Sequence, residues 1–187
     1  RALAEGLGLK AEERRRFDRL AALDVEARGV VASMIGGSIP APLSPLVGRA
    51  AEMSSLVEVV VGGTTRLVTL TGVAGIGKTR LALAVAEAAA GRGRPTWWVP
   101  LSGVVESKYV LDAVAGALGV AEVTVEAIGI RLGEPALLVV DNLEHLDGVG
   151  DVRTDLLQRV PDVTGPVTSR APIGLPDEQA WAVRPMA

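Results

Sequence analysis

A three-layer α/β fold, with a mainly parallel sheet between helices and a short helical segment ahead of it, is what this sequence predicts. Three features carry the expectation. Short apolar, β-branched runs at 66–71, 96–101, 135–141 and 162–168 alternate with stretches of helix formers at 79–90, 104–118 and 123–132. The run 137–140 is Leu-Leu-Val-Val, apolar on both faces, as a strand covered by helices on each side must be. A glycine-rich turn from Gly72 to Gly77 joins the first run directly to the first helix.

In chain order, residues 1–35 read as a helical, amphipathic segment. Leu3, Leu7, Leu9, Phe17, Leu20 and Leu23 supply apolar contacts, and Glu12 and Arg16 form an i,i+4 pair of favourable orientation. Gly6 and Gly8 break it into two helices. Arg14, Arg15 and Arg16 form either a solvated helix face or a surface for DNA phosphates. Residues 36–45 hold three prolines and two glycines and read as a linker, so the main domain is placed at 46–187. Within it a helix is expected at 50–60, and Gly62 and Gly63 turn the chain into the first strand. Gly91, Gly119 and Gly133 are expected to stop the next three helices. A short helix is expected at 151–160 and a fifth strand at 180–184.

Composition excludes several classes. The chain has 187 residues, and 49% of them are hydrophobic, enough for a substantial core. Aromatics are 3%, so Ala, Val and Leu must fill that core. The absence of cysteine excludes disulfides and thiolate metal sites, and a lone His145 argues against a histidine metal site. No stretch approaches the ~18 apolar residues of a membrane span, and no signal-peptide pattern is seen, so a cytoplasmic location is expected. Net charge is −3, which argues against a nucleic-acid footprint over the whole domain. It is uneven, however: residues 1–20 carry six basic against four acidic residues.

The turn itself is Gly72-Val73-Ala74-Gly75-Ile76-Gly77-Lys78-Thr79-Arg80, the G-x-x-x-x-G-K-T pattern of phosphate-cradling loops in nucleoside-triphosphate-binding proteins. A strand before it and a helix after it are the setting this P-loop requires. The glycines let successive N–H groups turn inward around a phosphate at the positive end of the helix. Lys78 brings a compact charge to the β- and γ-phosphates, and the Thr79 hydroxyl is a ligand for Mg²⁺. Only Lys10, Lys78 and Lys108 among nineteen basic residues are lysines, so an ammonium at position 78 is a chemical choice.

Ligands of parallel sheets bind beyond the carboxyl ends of the strands. Asp141 closes the third strand there, 63 residues after Lys78, and is expected to hold Mg²⁺ directly or through water. Asn142 follows where hydrolytic relatives often carry a second carboxylate. Asn cannot accept a proton from attacking water near neutral pH, so tight binding and slow hydrolysis are expected. Glu144 is an alternative carboxylate, and His145 is expected to be a structural hydrogen-bonder. Arg170, at the end of the fourth strand, is placed to fork onto a γ-phosphate and report its presence.

Together these pieces resemble the nucleotide-binding domain of STAND-class, NB-ARC-like ATPases, and bacterial transcriptional regulators of the AfsR-like or large LuxR-like type in particular. The resemblance runs over about residues 44–187. It rests on Pro45-Leu-Val-Gly-Arg49, the phosphate loop, Leu137 to Leu146, and Thr168 to Pro176 continuing into Trp181 to Pro185. It implies that Val47, Gly48 and Arg49 line an adenine pocket, with the Val47 backbone on the base. It also implies that Arg170 is a sensor arginine, and that Asp141-Asn142 is the usual pair. ATP or ADP with Mg²⁺ is the implied ligand, with ATP favouring an open, assembly-competent state and ADP a closed one. Residues 1–32 resemble the tail of a Cro/repressor-type helix-turn-helix domain whose recognition helix would precede Arg1, so DNA contact is expected only through that domain. A winged-helix lid and helical repeats would follow residue 187. Two other readings remain: a motor-type ATPase or small-molecule kinase using the same loop, and a scaffold that holds no nucleotide. Against a kinase, residues 91–135 offer only Arg92, Arg94, Lys108 and Arg131 for a second basic pocket.

Overall fold

The computed structural model describes residues 39–42, 45–63, 65–133, 135–144, 146, 163–175 and 178–185. The elements run α1 (Ala50–Val61), β1 (Leu67–Thr71), α2 (Lys78–Gly91), β2 (Thr96–Pro100), α3 (Val110–Leu118), α4 (Val125–Leu132), β3 (Ala136–Asp141), β4 (Val163–Ser169) and β5 (Glu178–Ala182). The helical segment expected at 1–35, half of the linker (36–38, 43 and 44) and the helix expected at 151–160 lie outside the described residues.

All five strands form one sheet in the order β2-β3-β4-β1-β5, and all four pairings are parallel. Side chains alternate between its faces and build two cores. On one face Leu67, Val99, Leu138, Val140 and Val167 pack with α3 and α4, including Val114, Leu118 and Ile128. On the other, Val68, Leu70, Trp98, Leu137 and Val139 pack with α1 and α2, including Leu56, Val60, Leu81 and Val85. Three layers follow directly, since β1 and β3 have apolar side chains on both faces and both need cover.

Two helix boundaries differ from expectation. α2 runs through Gly91 and stops at Gly93, which has φ +81°. There the Gly93 and Arg94 N–H groups donate to the carbonyls of Ala90 (2.9 Å) and Ala89 (3.1 Å), the crossed pattern of a Schellman ending. The helix expected from 104 begins only at Val110: Val104 is held in a turn by its N–H to Leu101 O (2.9 Å), and Ser107–Tyr109 form a single 3₁₀ turn. α4 starts where Thr124 caps it, its hydroxyl accepting from the Ala127 N–H at 3.2 Å. β5 lies two residues earlier than the expected 180–184.

β4 is a central strand that contains Pro166, a residue usually kept to sheet edges. Its ladder to β3 has paired residues at Thr164 and Val167 but none at Gly165 or Pro166. A side chain at Gly165 would collide with the Leu138 carbonyl, so glycine lets the two backbones meet where the ladder is interrupted.

Candidate functional site

The strand order places the site. β4 inserts between β1 and β3, so the turn leaving β1, the end of β4 and the end of β3 lie side by side at the carboxyl edge of the sheet. Register fixes this further: Thr71 pairs with Ser169, and Val140 with Val167.

The loop from Gly72 to Gly77 is built on left-handed backbone. Gly77, the N-cap of α2, has φ +100° and makes no side-chain cap. A Cβ on Gly77 or Gly75 would meet nothing within 4 Å. Glycine is therefore needed at Gly77 for backbone conformation, and the space beside the loop stays open as a cradle. Gly72 (φ +149°) is needed for closeness: a Cβ there would lie 3.0 Å from the Val183 carbonyl and 3.2 Å from Ile76 Cγ2. The uncapped start of α2 presents free N–H groups and the positive end of the helix dipole to that cradle.

Lys78, on the first turn of α2, is 7% exposed. Its ammonium donates to the carbonyls of Gly72 (2.8 Å) and Val73 (3.3 Å), and Glu144 Oε2 lies 3.5 Å away. Thr79 donates its hydroxyl to Asp141 Oδ1 at 2.8 Å, joining the loop to the end of β3. The same oxygen accepts from the Thr168 hydroxyl (2.7 Å), which in turn accepts from the Asn142 N–H (2.7 Å). Thr168 was not singled out from the sequence. The signal available was a hydroxyl at the end of a strand expected to point at this edge. Asn142 adopts φ +66°, the only non-glycine described residue with positive φ, and this turns the chain sharply after β3. Arg170 follows β4, and its Nε donates to Glu144 Oε1 at 3.2 Å.

The structure thus brings Gly72 to Thr79, Asp141 and Arg170 to one edge, as the spacing implied. Val73, Ala74 and Gly75 are exposed, Ile76 is half-buried, and Arg80 points half-exposed from α2. The segment at Val47, Gly48 and Arg49 approaches from the side. Val47 is 68% exposed and Arg49 only 7%. The Arg49 guanidinium is a strut: it donates to Ile76 O (3.1 Å) in the loop and to Arg184 O (2.7 Å) after β5, and pairs with Glu52 (2.6 Å). Trp181 donates its indole N–H to the same Glu52 at 3.2 Å. Gly48, Arg49, Glu52, Trp181 and Arg184 line an open pocket of about 600 Å³ between the start of α1 and β5, with no residue of the 72–77 loop in its lining. Glu52 and Trp181, 129 residues apart, form a contact that sequence spacing does not indicate. His145 lies outside the described residues.

The chain has the α/β fold of P-loop nucleotide-binding domains. Residues 45–124 match the family model of the AAA ATPase domain. A Mycobacterium tuberculosis protein named "Putative HTH-type transcriptional regulator Rv0890c" is 38% identical over 128 residues, 65% of this chain and 14% of its own length. A second protein of that organism, "Uncharacterized protein Rv0894", is 35% identical over 154 residues, 78% of this chain and 38% of its own length. The chain therefore spans well under half of these curated relatives. Among solved structures, a chain in the "Structure of Drosophila ORC bound to GC-rich DNA and Cdc6" is similar with a TM-score of 0.55. It shares 13% identity over 74% of this chain and 28% of its own length, a likeness of fold alone. Among the described residues, no helix is long and apolar enough to cross a membrane.

Proposed function

We propose that this domain is an ATP/ADP-binding switch of a multidomain transcriptional regulator, with slow ATP hydrolysis, of the STAND class that its motifs resemble. The observation that carries the reading is the 2.8 Å hydrogen bond between Thr79 and Asp141. It sets a hydroxyl from the phosphate loop against a carboxylate from a different strand, the two oxygen donors a nucleotide-bound magnesium ion needs. The open glycine cradle and the uncapped N-terminus of α2 fit a polyphosphate in the same way.

In this reading the backbone of residues 72–79 and the Lys78 ammonium bind the phosphates, and Thr79 and Asp141 hold Mg²⁺. The ion, when bound, neutralises phosphate charge. Thr168 holds the Asp141 carboxylate through its 2.7 Å hydrogen bond. Val47, Gly48 and Arg49 flank the adenine side. Slow turnover follows from the acceptors on hand. Asn142 takes no proton, and the Glu144 carboxylate faces Lys78 and Arg170. Arg170 is the sensor: its side chain is 69% exposed and free to re-aim toward a γ-phosphate. A switch works only through contacts that differ between ligands, and the γ-phosphate supplies that difference. The helix-turn-helix name of one relative supports a link to DNA through residues ahead of this domain, with nucleotide-dependent self-assembly as the output.

Titration calorimetry with Mg·ADP and Mg·ATP, followed by steady-state phosphate release, tests the proposal. Both nucleotides are expected to bind, with turnover far below the ~1–100 s⁻¹ of phosphotransferases. No binding of either nucleotide, or turnover in that range with or without an added acceptor, overturns it.

A further inference from the structure

Glu144 stands where an incoming anion is needed. Its Oε1 accepts from Arg170 Nε at 3.2 Å, and its Oε2 lies 3.5 Å from the Lys78 ammonium. The carboxylate thus spans the two cations assigned above to a terminal phosphate. Its side chain is only 12% exposed, and Oε2 is enclosed without a hydrogen bond, held by the ionic contact alone. The backbone beneath it is pinned. Asn142 N–H donates to Thr168 Oγ1 (2.7 Å), Leu143 N–H to Thr168 O (3.2 Å) and Leu146 N–H to Leu143 O (3.2 Å), and Leu143 is buried. These bonds hold the chain on the β3 side of Glu144, so a swing of its side chain is enough to release the cations.

We propose that Glu144 determines the choice between nucleoside di- and triphosphate, because its carboxylate holds the position between Lys78 and Arg170 that a γ-phosphate requires. The inference rests on the nucleotide-binding reading above. A diphosphate takes the loop amides and Lys78 while Glu144 keeps Arg170. A triphosphate must displace the carboxylate from both cations, because two anions cannot share that gap without repulsion. The site is thereby biased toward the diphosphate, and the bias resides in one side chain. A diphosphate costs Glu144 only its 3.5 Å contact with Lys78, whereas a triphosphate costs it both cations, so its effect is smaller on the diphosphate than on the triphosphate.

The test is calorimetric titration of the wild-type chain, Glu144→Gln and Glu144→Ala with ADP and with ATP, all with Mg²⁺. The wild type is expected to bind ADP more tightly than ATP. Both variants are expected to move the ratio toward ATP by about tenfold, about 1.4 kcal/mol, with ADP affinity altered less than ATP affinity. Wild type binding ATP as tightly as ADP overturns the inference and needs no variant. An unchanged ratio in the variants, or equal tightening of both nucleotides, also overturns it while leaving the nucleotide-binding reading intact. Failure of the wild type to bind either nucleotide overturns both.

Discussion

Removing the Lys78 ammonium tests the site at its centre. In Lys78→Ala the loop loses the side chain that now bonds to the carbonyls of Gly72 (2.8 Å) and Val73 (3.3 Å) and faces Glu144 at 3.5 Å. On nucleotide binding those partners are exchanged for phosphate oxygens. Hydrogen bonds to charged groups contribute about 1.5–3 kcal/mol each, so two to phosphate total about 3–6 kcal/mol; giving up the two carbonyl bonds offsets about 2 kcal/mol of this and leaves about 1–4 kcal/mol. The middle of that range, about 2.5 kcal/mol, is a loss of roughly sixtyfold in affinity, at about 1.4 kcal/mol per tenfold. Calorimetry reads this directly, and thermal melting reads it independently. At about a hundred times Kd a ligand stabilises the fold by about 2.7 kcal/mol. For a chain of this size that raises Tm by about 5–10 °C, at about 2–4 °C per kcal/mol. The wild type should show the shift and Lys78→Ala should not, with both giving the same far-UV circular dichroism. A Lys78→Ala affinity equal to that of wild type would refute the reasoning, because the ammonium would then lie outside the phosphate site.

Thr79→Val removes the hydroxyl that meets Asp141 at 2.8 Å but leaves the loop backbone alone. ATP affinity should fall about tenfold with Mg²⁺ and change little in EDTA, and an equal loss in both conditions would contradict the metal assignment. Gly77→Ala forces a side chain onto φ +100° with no steric neighbour, so its cost is backbone strain of about 1–2 kcal/mol, read as a lower urea midpoint. Burial pushes the Glu178 carboxyl up, but the Thr69 hydroxyl and the N–H groups of Ile173 (2.8 Å) and Gly174 (2.7 Å) outweigh this and hold it below its ordinary value. A carboxylate lowered in the folded state stabilises above its unfolded pKa of about 4.3, and that stabilisation is lost as pH falls through the folded value. Glu178→Gln should therefore be less stable than wild type at pH 7, with the gap closing below about pH 4 in urea titrations.

Much of the fold was open to reading from the sequence because its signals are local. Four of the five described strands are short runs rich in apolar or β-branched residues, with β5 (Glu-Gln-Ala-Trp-Ala) the exception, and the glycine loop announces itself by spacing. Where the reading slipped, a neighbouring signal competed. Gly91 looked like a helix stop, yet a helix can carry glycine in its last turn, and Gly93 supplies the left-handed residue. Val104 and Val105 looked like a helix start, but the Val104 N–H is taken by Leu101 O, and regular helix waits for Val110. In the site, residue types and the shared edge were legible, while pairings were not. That Glu144 bridges Lys78 and Arg170, or that Arg49 ties Ile76 to Arg184, depends on how strands distant in sequence are laid side by side. No periodicity encodes which cation a carboxylate will choose.

The strand order also governs when this protein can take shape during synthesis. Among the described residues β1, which leads into the glycine loop, pairs with β4 and β5, roughly a hundred residues downstream. β2 and β3 can zip together earlier, but they leave β1 without a neighbour on either side. A ribosome that has emitted everything through Asp141 has therefore released an incomplete sheet with both sides of β1 bare. Pairings of such long sequence separation form slowly and leave strand edges open to other chains meanwhile. The edge where Thr79, Asp141 and Thr168 meet is for this reason among the last parts to be finished, and arrest of translation before residue 169 leaves it unmade.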